Sequence, residues 1–554
     1  MICCSILPSC HLNDFYCTKK TTVLRMEDLS MLCLRLSVAV VIILITSRIA
    51  SYARQALDCI LKGYRIRHIP GPRYDSLLMG NTAMRKRPDR HRLFTEWAHE
   101  YGPILQRRLM FQHFIQVTDP VIIAEALRSR ELDKRTMVGG GISKFSNPKA
   151  FFNLLTSPSN ERWKAVRKAV ASAFSTANMK AQFPNIRTSC AQLVTVLKTL
   201  PAGEVVDMDS ALCRESLDVI GMVGFGQDLG ATRSLASSDK SGQAMEATAA
   251  AMLEADRQIT DPFRPYKFWR KDVAEGKAAT KRFHGVMRGL LATMRAKRPD
   301  ESSIAAHLLD IKDPDTGRPL SDERLLPEIS ILFMAGFETT GHTAAWTVYS
   351  VSQNAKVEAK IVEELEGVGL VATPDKPVPR PVEWDDIPKL TYLNAVIKES
   401  MRMYPAGGVA SFRSPKGDKD VVLGGGKLVV PNGVGLHMPI TAVHHSSALW
   451  EEPEVFKPER FLEEGVEDAK GAPQVNGRTP VRFMPFSMGG RDCVGQTLAK
   501  LNLATTLAQL YGNFTFKLAE EMGGPEGVKA AELTSITLSC TKGMKMHVLP
   551  RVPS

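Results

Sequence analysis

Phe486-Ser487-Met488-Gly489-Gly490-Arg491-Asp492-Cys493-Val494-Gly495 sets a single thiol in a glycine-rich loop. The run that follows, QTLAKLNLATTLAQL from Gln496, has a helical pattern. A thiol just ahead of a helix N-terminus has its thiolate favoured by the helix dipole and by nearby cations. Glycines allow close approach of backbone to a flat cofactor and leave N–H groups free to face sulfur. Arg491 is placed to pair with a carboxylate. One cysteine in a core is ordinarily a small apolar residue. Here Phe486, Gly489, Arg491, Cys493 and Gly495 are five fixed positions in ten, and the string carries more than the thiol does.

Four further strings stand in order around it. Residues 335–340 read AGFETT within the apolar stretch ISILFMAGFETTGHTAAWTVY. Glycine and threonine are poor mid-helix residues, threonine hydroxyls bond back to carbonyls and bend helices, and an acid in such a stretch is costly unless used. Residues 399–402 read ESMR, with Glu399 and Arg402 on one helix face, and residues 456–461 read FKPERF. Residues 163–167 read WKAVR, and Arg413 lies in GGVASFRSP.

Together these strings resemble the cytochrome P450 family over about residues 69–550. The resemblance implies that Cys493 ligates the iron of haem b, that Phe486 packs near the sulfur within a loop shaped by Gly489 and Gly495, and that Arg491 binds a haem propionate. Ser487 departs from the glycine common after the phenylalanine. Trp163, Arg167 and Arg413 match other propionate contacts. Thr339 matches the residue that hydrogen-bonds dioxygen, and Glu338 the one that relays protons. Glu399, Arg402 and Arg460 match a buried structural network. His444-His445 stands where the family often has His-Arg, and is read as surface structure.

The implied fold is mainly α with small β-sheets (α+β), a cytochrome P450 fold in a single large catalytic domain. The implied activity is insertion of one atom of O2 into a small lipophilic substrate. No flavin or nicotinamide motif is present, so electrons come from a partner, NADPH-cytochrome P450 reductase, with cytochrome b5 a second donor. A basic proximal face near Arg491 and Lys500 suits an acidic reductase. A haem-thiolate isomerase or dehydratase needs no acid–threonine pair, and neither does a haem sensor without turnover.

The 554 residues carry a net charge of +12, 44% hydrophobic and 23% charged residues. That composition excludes a disordered chain and a multi-span membrane protein. The positive balance suits an anionic membrane surface, and without finger spacing or aromatic-interleaved basic patches no nucleic acid is expected. Of ten cysteines only Cys190, Cys213, Cys493 and Cys540 lie in the long body, which reads as housed in a reducing compartment.

Residues 1–28 read as an N-terminal extension and 29–47 as a transmembrane anchor of about bilayer length. Residues 48–72 read as a basic linker and Pro-rich hinge, and 73–554 as the catalytic domain. Basic residues follow the anchor, so the body faces the cytosol, at the endoplasmic reticulum membrane or else a plastid or other organelle membrane. A cleaved signal or transit peptide is the alternative to an anchor. Farther on, residues 89–101 predict a helix through Leu93, Phe94, Trp97 and Ala98. ILQRRL and HFIQVT predict strands, and Asp119-Pro120 opens another helix. Residues 150–365 are mainly helical, with LDVIGMVGFG (217–226) in the core. Residues 421–436 form a small hairpin, and the tail from about 513 alternates like strands. Residues 227–300 and the loop between the early helices set substrate choice.

Overall fold

The computed structural model describes residues 26–82, 84, 87–134, 153–235, 243–261 and 263–552, with side chains from Arg35 onward apart from that of Gln243. Most of the extension 1–28, with Cys3, Cys4, Cys10 and Cys17, lies outside the described residues, as do 135–152 of the early loop and 236–242. The chain divides into two units, Met1–Leu61 and Lys62–Ser554.

The first unit is represented by helix α1, Met26–Arg65, whose last residues continue into the second unit. At 1.5 Å per residue its 40 residues extend about 60 Å. The apolar side chains from Leu36 to Ile45 are half or more exposed, and the helix is long and apolar enough to cross a membrane. It does not stop at Ser47. The segment expected as a linker is helical to Arg65, because SRIASYARQALDCILKGYR is rich in good helix formers and holds no proline.

Within the second unit, Ile66 and Ile69 are buried in a cluster with Ile115 and Leu436. The Pro70 carbonyl accepts from Gln106 N–H at 2.7 Å. A Cβ on Gly71 would stand 2.0 Å from the Gln106 carbonyl oxygen, so glycine is required by close approach. The Pro-Gly-Pro stretch expected as a hinge is therefore docked on the body.

Helix α2 (Arg90–Tyr101) buries Leu93, Phe94 and Trp97. It leads into strands β1 (Ile104–Leu109) and β2 (Gln112–Val117), paired antiparallel. Asp119 caps helix α3 (Pro120–Arg128), its carboxylate accepting from Val121 and Ile122 N–H at 2.8 and 3.0 Å. Strand β3 is Leu132–Lys134. Helices α4 (Glu161–Ala173) and α5 (Thr176–Thr199) follow, then strand β4 (Val205–Asp207) and helix α6 (Met208–Val219). Helix α6 widens into a π-helical turn at Ile220–Gly224, so 217–226 is core as expected. The segment 227–300 contributes helices α7 (Gln243–Thr260) and α8 (Lys271–Ala296), which pack together.

The central element is α9, Asp322–Ser352, 31 residues long and packed chiefly on α6. Helices α10 (Thr391–Met403) and α11 (Gln496–Asn513) also pack on it. Strands β5 (Phe412–Pro415) and β8 (Gly435–His437) complete a five-stranded sheet in the order β1-β2-β8-β5-β3. Between them β6 (Val421–Leu423) and β7 (Leu428–Val430) form a hairpin around Gly424-Gly425-Gly426, all at positive φ. The expected hairpin thus ends at Val430, and β8 joins the large sheet parallel to β2. In the tail, β9 (Phe514–Leu518) and β12 (Lys545–Pro550) pair, with β4 on the other edge of β12. Strands β10 (Glu532–Thr534) and β11 (Leu538–Cys540) form a second hairpin. The architecture is mainly helical with small sheets, as expected.

Candidate active site

The loop before α11 folds by its own bonds. Cys493 N–H donates to the Phe486 carbonyl at 2.9 Å, and Gly489–Arg491 makes one 3-10 turn. Gly489 has φ +76, and a Cβ there would lie 2.3 Å from the Leu127 carbonyl oxygen. Glycine is thus required for packing the loop on α3. A Cβ on Gly495 would make only ordinary contact with Phe174. Ser487 occupies φ +57, the left-handed region where glycine is favoured, and its hydroxyl meets that of Ser411 at 3.2 Å.

Burial pushes the Cys493 thiol above its ordinary value, against the Gly495 N–H and the charges of Arg167 and Lys500, which favour thiolate. The Cys493 side chain is nonetheless accessible. Lys500 Nζ lies 5.3 Å from the Phe486 ring centroid. Arg167 Nη1 donates to the Asp492 carbonyl at 2.9 Å and Nη2 pairs with its carboxylate, bracing α4 against the loop.

Beside the loop is a cluster of cations, Arg413 buried and Arg491 and Lys134 partly buried. Arg491 stacks 3.6 Å from the Trp163 ring centroid and donates to Ser159 Oγ at 2.9 Å and the Ser157 carbonyl at 2.7 Å. Arg413, 3% exposed, donates to its neighbour Phe412's carbonyl. It stands opposite Lys134 in the β3–β5 register. Burial, then Arg413 and Arg491, push the Lys134 ammonium down to about 7. Burial also pushes Arg413 and Arg491 down to about 10. Asp133 is the carboxylate facing them, and it already accepts from Ser159 N–H and Oγ. Three cations against one engaged carboxylate fit a group carrying two further carboxylates, and an accessible thiol in a glycine-rich loop fits a soft iron ligand. The residues therefore fit haem. Lys134 belongs to no motif; only the strand register brings it to Arg413.

On α9, Ala335 is exposed and Gly336, Glu338 and Thr339 are partly so, between the buried runs Leu325–Met334 (apart from the half-buried Leu326) and Thr340–Val351. Gly336 is required because a Cβ would stand 2.5 Å from Ile220 in the π-helical turn. Thr339 Oγ1 donates back to the Ala335 carbonyl at 2.8 Å. Glu338 accepts from Thr537 Oγ1 at 2.9 Å, and burial raises its carboxyl against the pull of His342 and that bond. Among the described residues no hydrogen bond or ion pair joins Glu338 or Thr339 to the Cys493 loop; α9 and α11 meet through packing.

The carboxylate of Glu399 is fully buried. It accepts from Arg402 Nε and Nη2 at 2.8 and 2.9 Å, from Arg460 Nε at 3.1 Å and from Lys457 N–H at 2.9 Å. His444-His445, expected at the surface, is buried in this network. The His444 carbonyl accepts from Arg402 and its Nε2 from Met484 N–H at 3.0 Å. His445 bonds Glu454 and the Met403 carbonyl. The reason is that the short helix Ile440–His444 lies between α10 and the segment leading to the cysteine loop, a tertiary placement no local pattern encodes.

A family model for cytochrome P450 matches residues 70–535. Cytochrome P450 3A29 of Sus scrofa is 26% identical, covering 87% of this chain and 91% of its own. The chloroplastic carotene epsilon-monooxygenase of Arabidopsis thaliana is 27% identical over 82% and 81%. Cytochrome P450 4F12 of Homo sapiens is 34% identical over 38% and 36%. Matched by that family model over most of its length, the chain belongs to the cytochrome P450 family.

Proposed function

We propose that the protein is a membrane-anchored monooxygenase of lipophilic substrates in which haem b is held by Cys493 and by Lys134, Arg413 and Arg491. The family makes it a haem-thiolate monooxygenase that uses O2 and a redox partner. The observation that carries the residue assignment is the accessible Cys493 beside three cations, Arg413 buried and Lys134 and Arg491 partly so. When bound, haem supplies dioxygen activation, which thiolate ligation favours.

The chain's own residues do the rest. Cys493 gives up its proton on ligation, and the Gly495 N–H with Arg167 and Lys500 supports the resulting charge. Trp163 keeps Arg491 flat against α4, and Arg167 holds Asp492, so the loop is braced on both sides of the sulfur. Phe486, under the Lys500 ammonium, shields the thiolate from water. Thr339, released from the Ala335 carbonyl, offers its hydroxyl in the open space, and Glu338 supplies protons behind it. Ala335 and the apolar side chains around it favour an apolar substrate.

The electron donor is NADPH-cytochrome P450 reductase, with cytochrome b5 as a second donor. Helix α1, whose apolar part is followed by Arg48, Arg54, Lys62 and Arg65, supports a single-pass anchor in the endoplasmic reticulum membrane with the body in the cytosol. In domain terms, residues up to 28 are an extension, the apolar part of α1 the anchor, and the body begins near Lys62. The test is oxygen uptake by the holoenzyme with the reductase and NADPH, screened over lipophilic compounds that give a substrate-binding difference spectrum. NADPH-dependent uptake with hydroxylated product supports the reading. Rearranged product without oxygen uptake, or neither, overturns it.

A further inference from the structure

Behind Glu338 lies a largely buried polar chain, and among the described residues no hydrogen bond or ion pair joins it to the cysteine loop. His342, one turn along α9, points its Nε2 at Glu338 Oε1, 4.0 Å away. Its Nδ1 bonds Asp209 Oδ1 at 2.7 Å, with Cys213 Sγ at 3.7 Å from the same nitrogen. His342 is 8% exposed at its side chain and Asp209, in the first turn of α6, 16%, so the chain of groups opens toward solvent at Asp209. Gly341 permits the arrangement: a Cβ there would stand 2.6–2.8 Å from Cys213 on α6.

We propose that Asp209 and His342 extend Glu338 into a proton path leading from the protein surface to the open space at Ala335 and Thr339. This rests on the monooxygenase reading, which needs protons delivered to one place. His342 Nε2–H passes its proton to the Glu338 carboxylate, across one water or after a small rotation, leaving a neutral ring protonated at Nδ1. A half-turn of the ring presents the bare nitrogen to Asp209, which hands on a proton taken from solvent. One full cycle carries one proton from solvent to Glu338, and the chain regains its starting charge when Glu338 passes that proton on.

The electrostatics agree with the geometry. Burial pulls the His342 imidazolium down, but Asp209, by charge and hydrogen bond, holds it well above the ordinary histidine value. The titratable groups facing His342 are Asp209 and Cys213 from α6 and Glu338 from α9, with Cys540 of β11 near Asp209. A charged ring beside a protonatable acid is a loaded donor. His342 and Asp209 act through Glu338 and are positioning residues.

The experiment uses the carbon monoxide-bound reduced holoenzyme, which is diamagnetic and whose spectrum reports the thiolate ligand independently. With 15N-labelled histidine, the resonance missing from His342→Gln identifies the ring. The proposal expects it doubly protonated at pH 7.5, with a midpoint at least one pH unit lower in Asp209→Asn and restored in Asp209→Glu. In NADPH- and reductase-driven turnover without added substrate, peroxide formation should fall about tenfold in His342→Gln and Asp209→Asn. The solvent deuterium isotope effect should rise, and Asp209→Glu should recover most of the rate. A neutral ring at pH 7.5, or an unchanged rate and isotope effect in both variants with the thiolate spectrum intact, overturns the path. Loss of the thiolate spectrum in the unaltered protein overturns the monooxygenase reading instead.

Discussion

Glu399→Gln and Arg460→Met remove different parts of one network, and the structure ranks them. Glu399 is the single acid facing two arginines, and the side chains of Glu399 and Arg402 are wholly buried. Glu399→Gln keeps the shape but leaves Arg402 and Arg460 with no anion. Removing one partner of a buried pair costs about 3–5 kcal/mol. Arg460→Met leaves Glu399 held twice by Arg402 and once by Lys457 N–H. What is lost is the 3.1 Å bond to Glu399 and weaker bonds to the Glu451, Glu452 and Val455 carbonyls. That loss is about 1–3 kcal/mol. Guanidinium titration followed by tryptophan fluorescence reads the order, since Trp450 lies 5.4 Å from the Arg402 guanidinium and reports the site. At equal slopes, the midpoint should fall more for Glu399→Gln than for Arg460→Met. An equal fall, the reverse order, or two variants within about 1 kcal/mol of the parent would refute the reasoning that the buried acid is the hub.

Three further outcomes follow from single contacts. Glu328 is buried, accepts from Leu154 N–H at 2.8 Å, and burial raises its carboxyl to about 8. A raised acid contributes stability that is complete below the unfolded value near 4.5 and is lost as pH rises through 8, at up to about 1.4 kcal/mol per pH unit. Glu328→Gln should therefore be more stable than the parent at pH 8 relative to pH 4.5, by chemical denaturation at both; an unchanged difference would contradict this. Gly341→Ala should cost about 1–3 kcal/mol by overpacking Cys213, whereas Gly285→Ala, with nothing within 4 Å in the middle of α8, should stabilise by up to about 1 kcal/mol. Thr339→Ala should raise peroxide released per NADPH consumed in the presence of a bound substrate, and unchanged coupling would remove Thr339 from proton delivery.

What was legible in the chain was what short strings carry. The cysteine loop, AGFETT, ESMR and FKPERF are each short local strings, and the resemblance they carry together implied their roles. The helix at 89–101, the strands at 104–109 and 112–117 and the Asp119 cap also follow from periodicity and capping. What was not legible is set by distant pairing. Lys134 reaches the cation cluster only because β3 pairs with β5. His342 meets Asp209 across 133 positions, through a contact that Gly341 makes possible. His444-His445 reads as polar surface in any local window and is buried by tertiary threading. The end of α1 escaped because apolar character falls at Ser47 while helix propensity does not, so span and helix have different lengths. Ser487 shows the converse: its left-handed backbone explains why glycine suits that place.

The most direct measurement is the visible spectrum of the purified, reduced protein under carbon monoxide. Ligation by Cys493 predicts a strongly red-shifted Soret band, lost in Cys493→Ser while haem is retained through Lys134, Arg413 and Arg491. The same band in Cys493→Ser, or its absence in the parent protein, would contradict the account.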